Sequence, residues 1–224
     1  MSRAKAHWQN LSDAVETYST ADHDRYSLYA YDPKPIPEKD RDRKNVATWF
    51  SPEAKIRVEL PLPDDLATVI GDLVNNMRTA LDNMACDLVA LNNRGVSGVY
   101  FPFCSDVAKV DETISLRNMD RAREDVVALL KTLAIYPQDV ANLRAVHDLD
   151  VHNKHHSLIT GLAMGAEVTL TMPNFTIPTA VRPIFHKLGK QLAFLDGHDA
   201  LAVLASLLQQ VDGTVEAFAA LYSL

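Results

Sequence analysis

The sequence predicts an α+β fold in which helices dominate: a bundle of about five helices carrying a small antiparallel sheet. Three observations lead there. Apolar residues recur every three or four positions from Leu66 to Leu91, the spacing of one buried helix face. The same spacing returns from Leu201 to Phe218. Segments 25–31, 55–60 and 157–172 instead alternate or favour β-branched residues, as strands do.

In chain order, residues 3–20 place Ala4, Trp8, Leu11, Val15 and Tyr18 on one helix face. Arg25–Tyr31, rich in tyrosine, reads as a strand. Three prolines and dense mixed charge follow, which predicts a mobile loop at about 32–48. A second strand, Lys55–Leu60, stops at Pro61 and is expected to pair with the first across that loop. The longest helix is expected from Pro63 to about Asn93. Leu66, Ile70, Leu73, Met77, Leu81, Met84, Leu88 and Leu91 form its stripe, and the Asn-Asn-Arg-Gly run at 92–95 ends it. Residues 120–134 read as another helix. Pro137 is expected to open one that continues to about His156. A hairpin turning at Met164-Gly165, an irregular proline-containing stretch at 172–183 and a final helix from Asp199 to Tyr222 complete the chain.

Composition bounds the function. The chain has 224 residues, 47% hydrophobic and 23% charged, enough for one domain of 1–224 to bury its own core. A net charge of −7 and an isoelectric point near 5.6 exclude a general coat for DNA, which draws its affinity from Lys and Arg on phosphates. They leave room for a local basic pocket. Two cysteines, Cys86 and Cys104, read as buried thiols in a reducing compartment. No leader-like or membrane-length apolar run occurs, so a cytoplasmic location with no membrane partner is expected.

Two polar clusters could carry chemistry. On the long helix, Asn75, Arg78 and Asp82 fall within about 60° of one another, away from the leucine stripe. Arg78 and Asp82 are either an ordinary i, i+4 salt bridge or part of a polar pocket facing a partner helix. The second cluster is HDLDVHNKHH at 147–156, which holds four of the eight histidines. Asp148, His152 and His156 share a face and could bind a divalent metal. Alternatively no metal or other cofactor is used and His155 acts as a general base, since imidazole titrates near neutrality. Phe101-Pro102-Phe103 reads as a core plug, and the arginine-rich run 117–123 as a helix start that could also touch phosphate.

The segment GDLVNNMRTALDNMACDLV, the Phe101-Pro102-Phe103 run and Asn153-Lys154-His155 together resemble an uncharacterised bacterial and phage family. Its signature helix approximates GDxxHNLRSALDHL, followed by FPxF and a helix ending in L-x-x-D-K-H. Gly71, Asp72, Asn76, Arg78, Ala80, Leu81 and Asp82 match, and the similarity spans about residues 5–160. That family is distantly similar to HEPN domains, often dimeric helical bundles, many of them metal-independent ribonucleases of toxin–antitoxin and phage-defence systems. The resemblance implies a single HEPN-like helical domain directed at RNA or a nucleotide, acting in defence or as an accessory factor, and a homodimer. It implies Arg78 and His155 as the catalytic pair, with Asn75, Asp82, Asn83, Asp150 and Lys154 binding. The sequence departs where the family carries its two histidines, here Asn75 and Asn83, and asparagine cannot exchange a proton near pH 7. A protein-interaction module is the alternative, with the apolar face of the last helix serving as a dimer surface.

Overall fold

A computed structural model describes residues 2–20, 27–31, 54–60, 66–133, 135–136, 142–156, 162–170, 182–185, 188 and 190–222. The chain is predominantly helical. Six α-helices occur among these residues: α1 (Ser2–Thr20), α2 (Leu66–Ala90), α3 (Val110–Leu116), α4 (Glu124–Thr132), α5 (Leu143–His156) and α6 (Ala200–Ala220). Short 3₁₀ turns lie at Val107–Lys109, Met119–Arg121 and Lys190–Leu195. None of the helices is long and apolar enough to cross a membrane. The charged stretch at 32–48 lies outside the described residues.

Helix α2 is the central element, an unbroken run of 25 residues in contact with α1, α5 and α6. The predicted stripe explains only part of its burial. Leu66, Ile70, Leu73, Met77, Leu81 and Leu88 are buried as expected, and Met84 is half-buried. Leu91 is 51% exposed, because the helix has already ended at Ala90 and the chain turns through Asn93 at φ 56°. Val74, Ala85 and Val89 are buried as well. They lie about 100° around the helix from the stripe and form a second packed face. Arg78 and Asp82 border that second face, so they are enclosed by neighbouring elements instead of facing open solvent.

Among the described residues four segments are extended: β1 (Ser27–Tyr31), β2 (Ala54–Leu60), β3 (Leu162–Leu170) and β4 (Arg182–Phe185). Neighbours pair antiparallel in the order β1-β2-β3-β4, with Ser27 opposite Glu59, Glu59 opposite Gly165, and Leu162 opposite Phe185. Two expectations need correction here. Met164-Gly165 is no hairpin: β3 runs straight through it, since Gly165 pairs on both sides, with Glu59 and Arg182. The stretch read as irregular ends in β4, whose Phe185 is fully buried. Gly197, at φ 81°, turns the chain so that its N–H donates to the Phe185 carbonyl at 2.8 Å.

Two helical expectations also change. Residues 120–134 are not one helix but a 3₁₀ turn followed by α4. Helix α3 was not anticipated, because seven residues with Val110 and Ile114 as the buried pair are too short to show a period. The start of α6 is as expected: Asp199 caps it, accepting from the Ala202 amide at 3.1 Å. Its stripe is spent inside the fold. Leu204, Leu208, Val211 and Phe218 are buried, Leu201 is half-buried against the core and Val215 is half-buried, so most of this face packs within the chain. Cys104 is buried and Cys86 half-buried; burial pushes both thiols above their ordinary value, and both are free.

Candidate functional site

The site lies on the seam between α2 and α5. Gly71 stands against Asn153, and seven residues further along α2 Arg78 meets His147. The two helices therefore run in opposite directions. Gly71 permits this closeness, since a Cβ there would come within 2.6 Å of the Asn153 Nδ2.

Arg78 is the hub. Its side chain is only 16% exposed, and its Nε donates to Asp82 Oδ2 at 3.0 Å. The second oxygen of Asp82 accepts from the Phe101 amide at 2.9 Å, so one carboxylate ties the arginine to the start of the Phe-Pro-Phe segment. That segment then places the Phe103 ring 4.7 Å beneath the Arg78 guanidinium. Phe103 also stacks on His147, centroid to centroid 5.3 Å at 18°, and tilts against Phe101 at 4.8 Å.

The contact between Arg78 Nη1 and His147 Nδ1 fixes the state of the imidazole. A guanidinium has no acceptor and stays charged, so it donates, Nδ1 accepts, and the single ring proton of neutral His147 is assigned to Nε2. Burial is the first cause that depresses this group. The positive charges of Arg78, Arg144, Arg117 and Lys154 add to it, and together they hold His147 down to about 3. Arg78 touches the imidazole, and the other three act on it through their charge. Arg144 is held by Asp148 at 2.8 Å and Lys154 by Asp150 at 2.7 Å. Arg117 has no carboxylate partner among the described residues; its guanidinium lies 5.9 Å from the Tyr100 ring centre. Asp150 is 2% exposed, and its Oδ1 has no hydrogen-bond partner among the described residues.

Of the residues singled out from sequence, Arg78 and Asp82 are joined and Asp150 is joined to Lys154. Asn75 and Asn83 are exposed. Asn83 is also on the wrong side of α2 for the expected set. It lines a separate groove of about 300 Å³ with Val215, Phe218 and Tyr222, because five residues advance the helix by about 140° from Arg78. The imidazole that reaches Arg78 is His147. His155 begins about 12 Å further along the helix axis, and its side chain lies outside the described residues, as does that of His156. Asp148 is engaged by Arg144, His152 is half-buried, and among the described residues no three metal-ligating side chains come together.

The sequence does not mark His147, Phe103 or Arg144 as members of the site; Arg117 belongs to the run 117–123 that reads as a helix start able to touch phosphate. One signal was readable: His147, Asp150 and Lys154 stand at i, i+3 and i+7, one face of a helix. The chain matches no family model, no curated protein and no solved structure.

Proposed function

We propose that this chain is a degenerate HEPN-like binder of RNA or nucleotides, an accessory or defence-related factor of a bacterium or phage, in which the helical bundle carries the small sheet as one α+β domain. The observation that carries the reading is Arg78 held against His147 and Phe103, with Arg144, Arg117 and Lys154 close enough for their charges to act on the same imidazole, in a protein of net charge −7. Three of these cations are balanced by Asp82, Asp148 and Asp150, and Arg117, which has no carboxylate partner among the described residues, is left for an incoming phosphate.

Binding fits this geometry better than catalysis. A general base works best when its pKa lies near the working pH. His147 is far below that, and its one acceptor nitrogen is already occupied by Arg78. A metal-independent ribonuclease would need another proton carrier, for which His155 is the sequence's candidate.

Titrating a fluorescently labelled single-stranded RNA at several salt concentrations tests the reading. Binding is expected in the unaltered protein, and Arg117→Ala should flatten the salt dependence by about one phosphate contact. Arg78→Lys should weaken binding, because an ammonium cannot hold Asp82 and His147 together as the guanidinium does. The same RNA is expected to remain uncut, and RNA cleavage abolished by His155→Ala would restore the enzyme reading. An absence of binding at low salt overturns the proposal altogether.

A further inference from the structure

We infer that Tyr100, with the exposed Arg117 beside it, is a stacking platform for a base of a single-stranded nucleic acid whose phosphate is met by Arg117. This deepens the phosphate-binding reading and rests on it. Tyr100 is 48% exposed, although its neighbours Phe101 and Phe103 are buried. Its backbone is clamped from both sides. The Tyr100 amide donates to the Arg117 carbonyl at 3.3 Å, and the next amide, of Phe101, is held by Asp82.

The loop leading to Tyr100 is fastened as well. Asn118, at φ 58°, donates from Nδ2 to the Gly98 carbonyl at 3.0 Å, and Arg121 donates to the carbonyls of Gly95 and Ser97. An aromatic ring held outward on a fixed backbone is prepared for contact, since little freedom remains to be lost on binding.

The chemistry around the ring selects the ligand class. Arg117 lies 5.9 Å from the ring centre, and its charge also reaches His147. An exposed guanidinium without a carboxylate partner among the described residues therefore stands beside an exposed aromatic face. Phe103 is three positions after Tyr100, so their Cα atoms are at most about 11 Å apart, and Phe103 lies directly under Arg78. A stacking face joined to a cationic site over this short span matches a single strand, whose unpaired bases stack while its phosphates follow the positive groove. A duplex hides its base faces, and inorganic phosphate has none. Val96 and Leu116 are exposed nearby, so a protein partner is the competing occupant.

The experiment compares a short labelled oligoadenylate with inorganic phosphate as its competitor, using the full chain and the variants Tyr100→Ala and Tyr100→Trp. Tyr100→Ala is expected to weaken the oligonucleotide about 5- to 100-fold, while the phosphate concentration that competes stays unchanged. Tyr100→Trp should retain or improve binding, which guards against simple loss of fold. If the oligonucleotide binds the unaltered protein and Tyr100→Ala with equal affinity, the platform is refuted while the phosphate reading survives. If neither oligonucleotide nor phosphate binds the unaltered protein, both fall. Self-association by light scattering that Tyr100→Ala abolishes, without any oligonucleotide effect, would assign the patch to a protein contact and overturn the inference.

Discussion

Two arginines in this fold are built into the same three-part arrangement, with a ring under the guanidinium and an aspartate beside it. Arg78 covers Phe103 at 4.7 Å and pairs with Asp82 across one helical turn. Arg123 covers Tyr222 at 4.2 Å, pairs with Asp125 at the start of α4, and donates to the Leu221 carbonyl at 3.1 Å. What differs is the surroundings. Arg78 is 16% exposed and meets a neutral imidazole from another helix, whereas Arg123 is 38% exposed. Water can replace the partners of Arg123 and has little access to those of Arg78. Identical parts therefore make a fixed polar knot in one place and a surface fastening in the other.

The largest effect that tests this contrast is expected from Asp82→Ala. It leaves a mostly buried guanidinium without its carboxylate and the Phe101 amide without its acceptor. A loss of about 3 kcal/mol should follow in a urea titration. A loss close to zero would mean that the knot is solvated after all.

His147 gives the next test, through pH. In the unfolded chain an imidazole protonates near 6.5, while in the fold His147 stays neutral down to about 3. Between those values the unfolded state holds a proton that the native state lacks, so stability falls as pH drops through the window and is fully present above it. The groups that oppose protonation are Arg78, Arg144, Arg117 and Lys154. His147→Gln keeps an acceptor for Arg78 but cannot titrate. Its stability should therefore decline less steeply than the parent's from neutral pH toward pH 4. Equal slopes would show that His147 is ordinarily solvated.

A smaller effect separates the α2–α5 seam from the exposed side of α6. At Gly71 a Cβ would press on the Asn153 side chain, whereas at Gly213, in α6, it would meet nothing within 4 Å. Gly71→Ala should cost about 1 kcal/mol, the strain of overpacking exceeding the helix-propensity gain, and Asn153→Ala in the same chain should restore most of it. Gly213→Ala should instead stabilise by about 0.5–1 kcal/mol. Melting curves of the three variants would reveal either outcome.

These contrasts also explain what could be read from the sequence. Helices α2 and α6 were legible because a long repeat of apolar residues fixes one face, and Asp199 announced its own cap. Arg78 and Asp82 were legible as a pair because i, i+4 geometry is local. His147 was not, since its contact with Arg78 joins residues 69 positions apart, and only the packing of two helices decides which of four neighbouring histidines arrives there. Gly165 misled for a related reason. A glycine between apolar runs resembles a turn, yet here it belongs to a strand paired with Glu59 on one side and Arg182 on the other.

The smallest effect should come from the exposed counterpart, Asp125→Asn. The Arg123 guanidinium beside Asp125 holds its carboxyl below the ordinary range, helped by the Val126 amide. A depressed carboxylate contributes stability above its unfolded pKa and loses it as pH falls through the folded value, so any contribution should be present at neutral pH and fade in acid. Its size is limited by exposure. Asp125 is 44% exposed, and pairs of this kind are screened by salt and cost side-chain freedom to hold. Arg123 would also keep its contacts with Tyr222 and the Leu221 carbonyl after the substitution. The denaturation midpoint of Asp125→Asn should therefore match the parent's at neutral pH, in low and in high salt alike. A drop approaching that of Asp82→Ala would show that the Arg123 cluster is as enclosed as the Arg78 cluster, and the distinction between the two arginines would collapse.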